Sequence, residues 1–288
     1  MFYLSKTKKL NGAGSHMPPP VSFPFMMDFI LVGAGGGHTN AQSYAGGGGG
    51  GGLICSGQAL QGGGGTAQVN IKAPGTYSIV IAAQTVAQTP AIAGSNSTAF
   101  GYTADGGGRG GGNDGGGGNG GSGGGGGGND TGYLHNGGTG TANQGYGGGK
   151  SLYGSPTAQA GGGAGGAGGA GGNANGVNYQ KGGTGGLGLE WLDGKVYACG
   201  GHGSGGGYTP TQGDLPANYP SGGAPNRGFG GQYTTDSSNP GGRGYGSTGV
   251  CVVRYPFSNK LEVTGGTKTQ DSGFVYHTFI TSGTLVVG

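Results

Sequence analysis

Residues 161–172 read Gly-Gly-Gly-Ala-Gly-Gly-Ala-Gly-Gly-Ala-Gly-Gly, with an alanine at every third position and nothing but glycine between. A period of three matches neither the α-helix nor the β-strand. It is the period of the left-handed extended helix of the polyproline II type, which has no internal hydrogen bonds. A glycine version of that helix leaves an N–H and a C=O at every residue that must find partners elsewhere. Neighbouring passes of the same chain supply such partners, and glycine lets the backbones approach closely. The sequence therefore predicts an all-β or irregular fold, essentially without α-helix, built around a bundle of polyglycine II helices. Collagen shares the period, but it needs abundant proline at the two variable positions. Proline is nearly absent from these runs.

Glycine-rich segments are by default flexible coil. The punctuation of this region argues otherwise, because aromatic residues interrupt the glycine at short intervals from Tyr133 to Tyr245. Glycine accounts for 86 of 288 residues, 31% are apolar and only 8% are charged. A conventional apolar core for the whole chain is out of reach, yet the high charge typical of disordered chains is missing too. The net charge of +3 gives little support to a role driven by binding nucleic acid or a membrane surface. Cys55, Cys199 and Cys251 are too few and too scattered for a disulfide framework. The N-terminal residues lack the apolar segment and cleavage site of a signal peptide, and no stretch approaches the length of a membrane span.

The chain divides into an extended arm (1–27), a β module with glycine runs (28–85), the glycine-rich body (86–248) and a C-terminal β module (249–288). The arm carries Pro18-Pro19-Pro20 and the apolar residues Phe2, Tyr3, Phe23 and Phe25, and reads as a docking element for another protein. Phe29–Val32 is a strand candidate, and the glycines that follow it do not complete a dinucleotide-binding turn, because His38 stands where the third glycine belongs. Residues 66–71 and 76–82, separated by Ala73-Pro74-Gly75, predict one hairpin. Residues 274–280 and 284–287, separated by Thr281-Ser282-Gly283, predict another. Val250–Tyr255 predicts a strand closed by Pro256, and Lys260–Val263 a short one. The similar layout of the two hairpins suggests that both chain ends contribute to one small sandwich anchoring the bundle.

The segments Val252-Val253-Arg254-Tyr255-Pro256, Val263-Thr264-Gly265-Gly266 and Tyr276-His277-Thr278-Phe279, with Ser282-Gly283-Thr284, resemble the closing module of glycine-rich phage structural proteins. The middle of the chain is similar to the polyglycine II sandwich of T-even-type phage tail-fibre adhesins. It departs from that pattern in having β modules at both ends and no N-terminal attachment domain beyond the arm. The resemblance implies a virion protein, made without a signal peptide and released by lysis. It also implies that loops on a rigid scaffold recognise a host outer-surface protein or glycan, and that the arm holds another virion protein in a multi-copy particle. The alternative is a structural fibre or decoration component of capsid or tail that serves as a spacer or self-associating element without receptor binding.

No catalytic constellation is present, so no enzyme activity is expected. Cys199 and His202 have no second pair of ligands at zinc spacing, and neither a metal nor a cofactor is expected. If passes run alternately up and down, every second connection emerges at one end of the bundle. Tyr133, His135, Tyr153, Trp191, Tyr197, Tyr208, Tyr219 and Tyr233 lie in such connections and are the receptor-binding candidates. Tyrosine and tryptophan on a rigid platform give large contact area at low entropic cost.

Overall fold

Phe29-Ile30-Leu31-Val32 has no polar position, so a strand made from it must be covered on both faces. The computed structural model, which describes residues 23–39, 44–58, 65–86, 90–112, 115–128, 133–153, 159–175, 181–205, 217, 226–232, 244–258 and 262–288, shows how this is achieved. Among the described residues the protein is all-β, with no helix. Its strands are β1 (Phe25–Val32), β2 (Leu53–Ser56), β3 (Gly65–Thr66), β4 (Val69–Ile71), β5 (Gly75–Val80), β6 (Ser97–Ala99), β7 (Tyr102–Ala104) and β8 (Leu152–Tyr153). They continue with β9 (Gln159–Ala160), β10 (Leu189–Glu190), β11 (Val196–Tyr197), β12 (Val250–Pro256), β13 (Val263–Thr264), β14 (Thr267–Asp271), β15 (Phe274–Phe279) and β16 (Gly283–Val287).

Two sheets form a sandwich from both ends of the chain. One runs β14-β15-β12-β1-β2-β3, with β4 also on β1, and the other runs β13-β16-β5-β6-β7. Odd-numbered residues of β1 (Phe25, Met27, Phe29, Leu31), with Cys251, Val253 and Tyr255 of β12, pack against Ile79, Leu285 and Val287 of the second sheet. The even-numbered Ile30 and Val32 face the opposite way, into a second core. His277 is buried inside the sandwich, with its Nδ1 2.7 Å from the Gly265 carbonyl and its Nε2 3.2 Å from the Tyr255 hydroxyl. A carbonyl only accepts, so Nδ1 carries the proton and Nε2 accepts from Tyr255.

Neither predicted hairpin forms. β4 pairs with β1, whereas β5 pairs with β16 and β6. β15 pairs with β12 and β14, whereas β16 joins the other sheet. The turn signals are real, but at both places the chain crosses between the sheets of the sandwich instead of folding back along one. Phe25 is also a core residue of β1 and Phe23 packs half-buried against the same core, so these two are not part of a free arm; Phe2 and Tyr3 lie outside the described residues.

The glycine runs leave the sandwich as extended passes, and their hydrogen bonds follow a strict period of three. In the pass 44–52, Gly46, Gly49 and Gly52 donate to Gly111, Gly108 and Asp105; Gly47 and Gly50 donate to Gly162 and Gly165; Gly48 and Gly51 donate to Gly231 and Gly228. The same pass accepts from three further directions: from Gly128, Gly125 and Ser122, from Ser204 and Gly201, and from Gly36 and Gly33. Consecutive residues thus turn about 120° each, as three residues per turn requires. The passes bonded to 44–52 are also bonded to one another in a closed ring, through Gly107–Ala34, Gly108–Ser122, Gly162–Gly126, Gly161–Ser204, Gly230–Cys199 and Gly231–Gly36. The same arrangement surrounds the passes 122–128 and 159–167. The body of the protein is a hexagonal lattice of polyglycine II helices.

Space, not backbone freedom, is why these positions are glycine. A Cβ on Gly46, Gly47, Gly48, Gly49 or Gly51 would overlap the carbonyl oxygen of Gly125, Gly201, Gly36, Ser122 or Gly33, respectively. None of these glycines has a positive φ. Where the lattice ends laterally, amide and hydroxyl side chains replace the missing pass. Asn119 Oδ1 accepts from Thr139 N at 2.9 Å, Asn173 Oδ1 from Lys150 N at 2.8 Å and Asn96 Oδ1 from Gly106 N at 2.9 Å.

The alanine-punctuated passage is two passes, not one. The chain reverses around 167–169, closing with Gly166 N to Gly169 O and Gly163 N to Gly172 O, both 2.9 Å. Ala164 and Ala167 are buried, whereas Ala170 is exposed at the reversal.

Candidate recognition surface

The two ends of the lattice are chemically different. At one end the passes run directly into the sandwich: Val32 into Gly33, Gly52 into Leu53, Ala104 into Asp105 and Gly249 into Val250. The connection 189–197 also lies at this end. Its strands β10 and β11 form a two-residue ribbon that lays Trp191 and Tyr197 on Ile30, Val32, Leu53, Val250, Val252 and Tyr276. The Trp191 indole donates to the Ser56 carbonyl at 3.1 Å, and the Tyr197 hydroxyl donates to Asp193 Oδ2 at 2.7 Å. Trp191 is 1% exposed and Tyr197 2%. These two receptor-binding candidates are therefore corrected to core residues, because the outer face of the larger sheet is apolar and needs them as its cover.

The other end is formed by residues bonded at a common level: His38 with Gly244, Tyr44 with Gly128, Ala45 with Ser204, Gly46 with Gly111. It stands about 20 Å from the sandwich, six to seven residues at roughly 3.1 Å each. Passes reach this end at 39, 86, 112, 128, 153, 175, 205 and 232, and others start from it at 44, 90, 115, 133, 159, 181 and 244. Successive passes alternate in direction, as expected, except that 198–205 and 226–232 run the same way.

Of the remaining candidates, Tyr133 belongs to this free end and is 69% exposed, beside Leu134 at 61%. His135 is half-buried, with its N–H on Ser151 Oγ at 2.8 Å, and Tyr153 is half-buried in β8, which pairs with β9 at the same end. Val86 is a further exposed apolar residue there. Tyr208, Tyr219 and Tyr233 lie outside the described residues. The sequence reading missed Leu134 and Val86. Leu134 stands beside Tyr133 ahead of a glycine run, and Val86 lies in a segment without glycine, so neither has a distinguishing pattern in the sequence.

Beneath this surface, in the crevices between passes, sits a set of buried polar side chains: His38, Thr39, His202, Ser204 and Gln232. His202 Nδ1 is 3.1 Å from the Gly203 carbonyl, and Ser204 Oγ donates to the Ala45 carbonyl at 3.1 Å. Burial, and after it the neighbouring His202, pushes the His38 imidazole down to about 4, against the opposing effect of backbone hydrogen bonds at Thr39 and Ala45.

The described residues offer little to reaction chemistry. No group of three or more histidine, cysteine, aspartate or glutamate side chains among them can hold a metal ion. Cys199 and His202 are three residues apart on one pass, and no third such side chain joins them among the described residues. Burial pushes the Cys55 and Cys199 thiols up to about 12, so neither supplies a thiolate near neutral pH.

Fold and surface together define an all-β protein that joins an apolar sandwich to a lattice body of hydrogen-bonded main chain, with one anchored and one free lattice end. A family model described as a glycine-rich domain matches residues 21–256. The chain belongs to that glycine-rich domain family. No curated protein and no solved structure matches it.

Proposed function

We propose that the chain is a bacteriophage virion protein that recognises the host cell surface with the free end of its lattice. The observation that carries this reading is the placement of passes. Pass after pass runs to the one end remote from the sandwich, on a scaffold whose neighbouring passes are cross-bonded along their length. A platform of that kind holds contact residues in place, so little conformational entropy is lost when they bind. The exposed pair Tyr133 and Leu134 lies on it, and the resemblance to tail-fibre adhesins supports the same use. Host surface protein or glycan is the partner, and the sandwich end faces the rest of the virion.

Binding of labelled full-length protein to a panel of bacterial strains tests this. The reading predicts saturable binding to particular strains, lost in Tyr133→Ala with Leu134→Ser while thermal unfolding stays unchanged. The second reading, a spacer or decoration component, draws on the rigidity of the lattice alone. It predicts no cell binding at all, and loss of particle incorporation when residues 1–22 are deleted. That deletion stops short of Phe23 and Phe25, which belong to the core.

A further inference from the structure

The lattice carries an open groove on one flank. Around the pass 122–128 stand six others: 44–52, 104–112, 115–118, 136–140, 145–149 and 159–167. Among the described residues 136–140 is bonded to three passes and 145–149 to four, whereas 122–128 is bonded to all six. The two are neighbours, joined by Gly148 N and the Gly138 carbonyl, and the groove runs between them on the side away from 122–128. Thr139 and Tyr146 are the only side chains in 137–140 and 145–149, so its walls are main chain.

The period of three decides where the wall groups point. On 136–140, Gly138 donates inward to Gly124, and Thr139 donates to Asn119 Oδ1. Gly137 and Gly140 share the third direction, and among the described residues their N–H groups have no hydrogen-bond partner. On 145–149, the Tyr146 and Gly149 carbonyls accept from Gly123 and Gly126, and the Gly147 carbonyl accepts from Gly171. The Gly145 and Gly148 carbonyls take the remaining direction and likewise have no partner among the described residues. Their oxygens lie beside Gly140 and Gly137, respectively. Donors on one wall and acceptors on the other therefore recur at the same two levels, about 9 Å apart. Elsewhere at the boundary Asn96, Asn119 and Asn173 stand in for a missing pass; no side chain among the described residues does so here.

A chain that fills the groove must offer C=O and N–H groups at a spacing of three and bring its backbone against bare main chain. Only a glycine run in the extended threefold conformation does both. Four runs of four or more consecutive glycines occur in the sequence. Three of them, 46–52, 115–118 and 123–128, are lattice passes. The fourth, 62–65, belongs to the connection between β2 and β3 at the edge of the larger sheet; Gly65 is exposed, and 62–64 lie outside the described residues.

We infer that the groove between 136–140 and 145–149 takes up the glycine run 62–65 of a second copy, which adds one pass to the lattice and joins the copies side by side. The contact works as an unpaired strand edge does in a sheet, with main-chain hydrogen bonds supplying the attraction. Gly137 N and Gly140 N donate to carbonyls of the incoming run, and N–H groups of the run donate to the Gly145 and Gly148 carbonyls. Groove and run are different surfaces, so each copy gives one and receives one, and the copies build a ring or a row.

Sedimentation velocity of the full-length protein over a range of concentrations tests this without any receptor. The wild type is expected to form species heavier than the monomer as concentration rises. A Cβ at Gly147 meets Gly138 O at 3.1 Å and Thr139 Cα at 3.9 Å, both of the opposite wall, so Gly147→Gln places a side chain in the groove. That variant, and separately Gly63→Val with Gly64→Val, should remain monomeric. Mixed, the two should form a one-to-one pair, since each keeps the half that the other lacks. A wild type that stays monomeric throughout, its flank covered by water alone or by its own run, overturns the inference. So does undiminished association in either variant, or a mixture that fails to pair. Should thermal unfolding show Gly147→Gln to be misfolded, a peptide of residues 58–68 decides: it disperses the wild-type association if the inference holds, and leaves it intact if the inference is wrong.

Discussion

The indole N–H of Trp191 donates to the carbonyl of Ser56, 3.1 Å away and 135 residues earlier in the chain. This bond ties a connection between two lattice passes to the end of β2, and so joins the glycine body to the sandwich. Around it the ring fills the second core with Ile30, Val252 and Tyr276.

Trp191→Ala is expected to destabilise the protein by about 3–5 kcal/mol, through lost burial and the cavity it leaves. Trp191→Phe keeps most of the packing but leaves the Ser56 carbonyl unpaired, costing about 1–3 kcal/mol. Denaturant unfolding of the two variants checks both values. Fluorescence of this single tryptophan should be blue-shifted in the native state and shift red on unfolding.

Asp28 and Arg254 form an ion pair of 3.0 Å on the same face, with side chains 10% and 13% exposed. Asp28 also accepts from Ser56 Oγ and Gln68 Nε2, and Arg254 donates to the Leu192 carbonyl and lies 4.1 Å over the Phe274 ring. Removing one partner strands the other charge in a dry place. Arg254→Met should therefore cost about 3–5 kcal/mol, and Asp28→Asn in that background should restore part of the loss. A double-mutant cycle in denaturant measures the coupling.

Lattice glycines should differ sharply in tolerance according to place. A methyl on Gly48 would overlap the Gly36 carbonyl, whereas one on Gly115 meets nothing nearer than Gly112 N at 3.9 Å. Gly48→Ala is expected to cost at least about 3 kcal/mol, because no side chain can move aside. Gly115→Ala should leave stability within about 1 kcal/mol of wild type, in the stabilising direction, since it reduces the freedom of the unfolded chain. Thermal unfolding of the pair provides the comparison.

The period of three was legible because Gly161–Gly172 writes it out, and it carries over to runs such as Gly46–Gly52 that show no punctuation. β12 was legible from Val250–Tyr255, a run with three valines and a tyrosine closed by proline. Strand partners were not legible. Ala73-Pro74-Gly75 and Thr281-Ser282-Gly283 mark sharp changes of direction, but a turn residue does not say whether the next strand stays in its sheet. β14 carries no apolar residue at all, being an exposed edge strand, and so had no pattern to read. The burial of Trp191 could not be seen either, because its partners Ile30 and Val252 are distant in sequence. Asn96, Asn119 and Asn173 looked like ordinary polar punctuation; their work as edge caps exists only once the neighbouring passes are in place.

The central claim is that bare main chain orders itself by bonding in three directions in turn, and residue-resolved amide exchange across Gly46–Gly52 tests it most directly. The lattice predicts slow exchange at every one of these consecutive amides, since each has its own carbonyl partner. Exchange at the intrinsic rate along the run, or protection only at alternate residues as in a strand paired on one side, would contradict it.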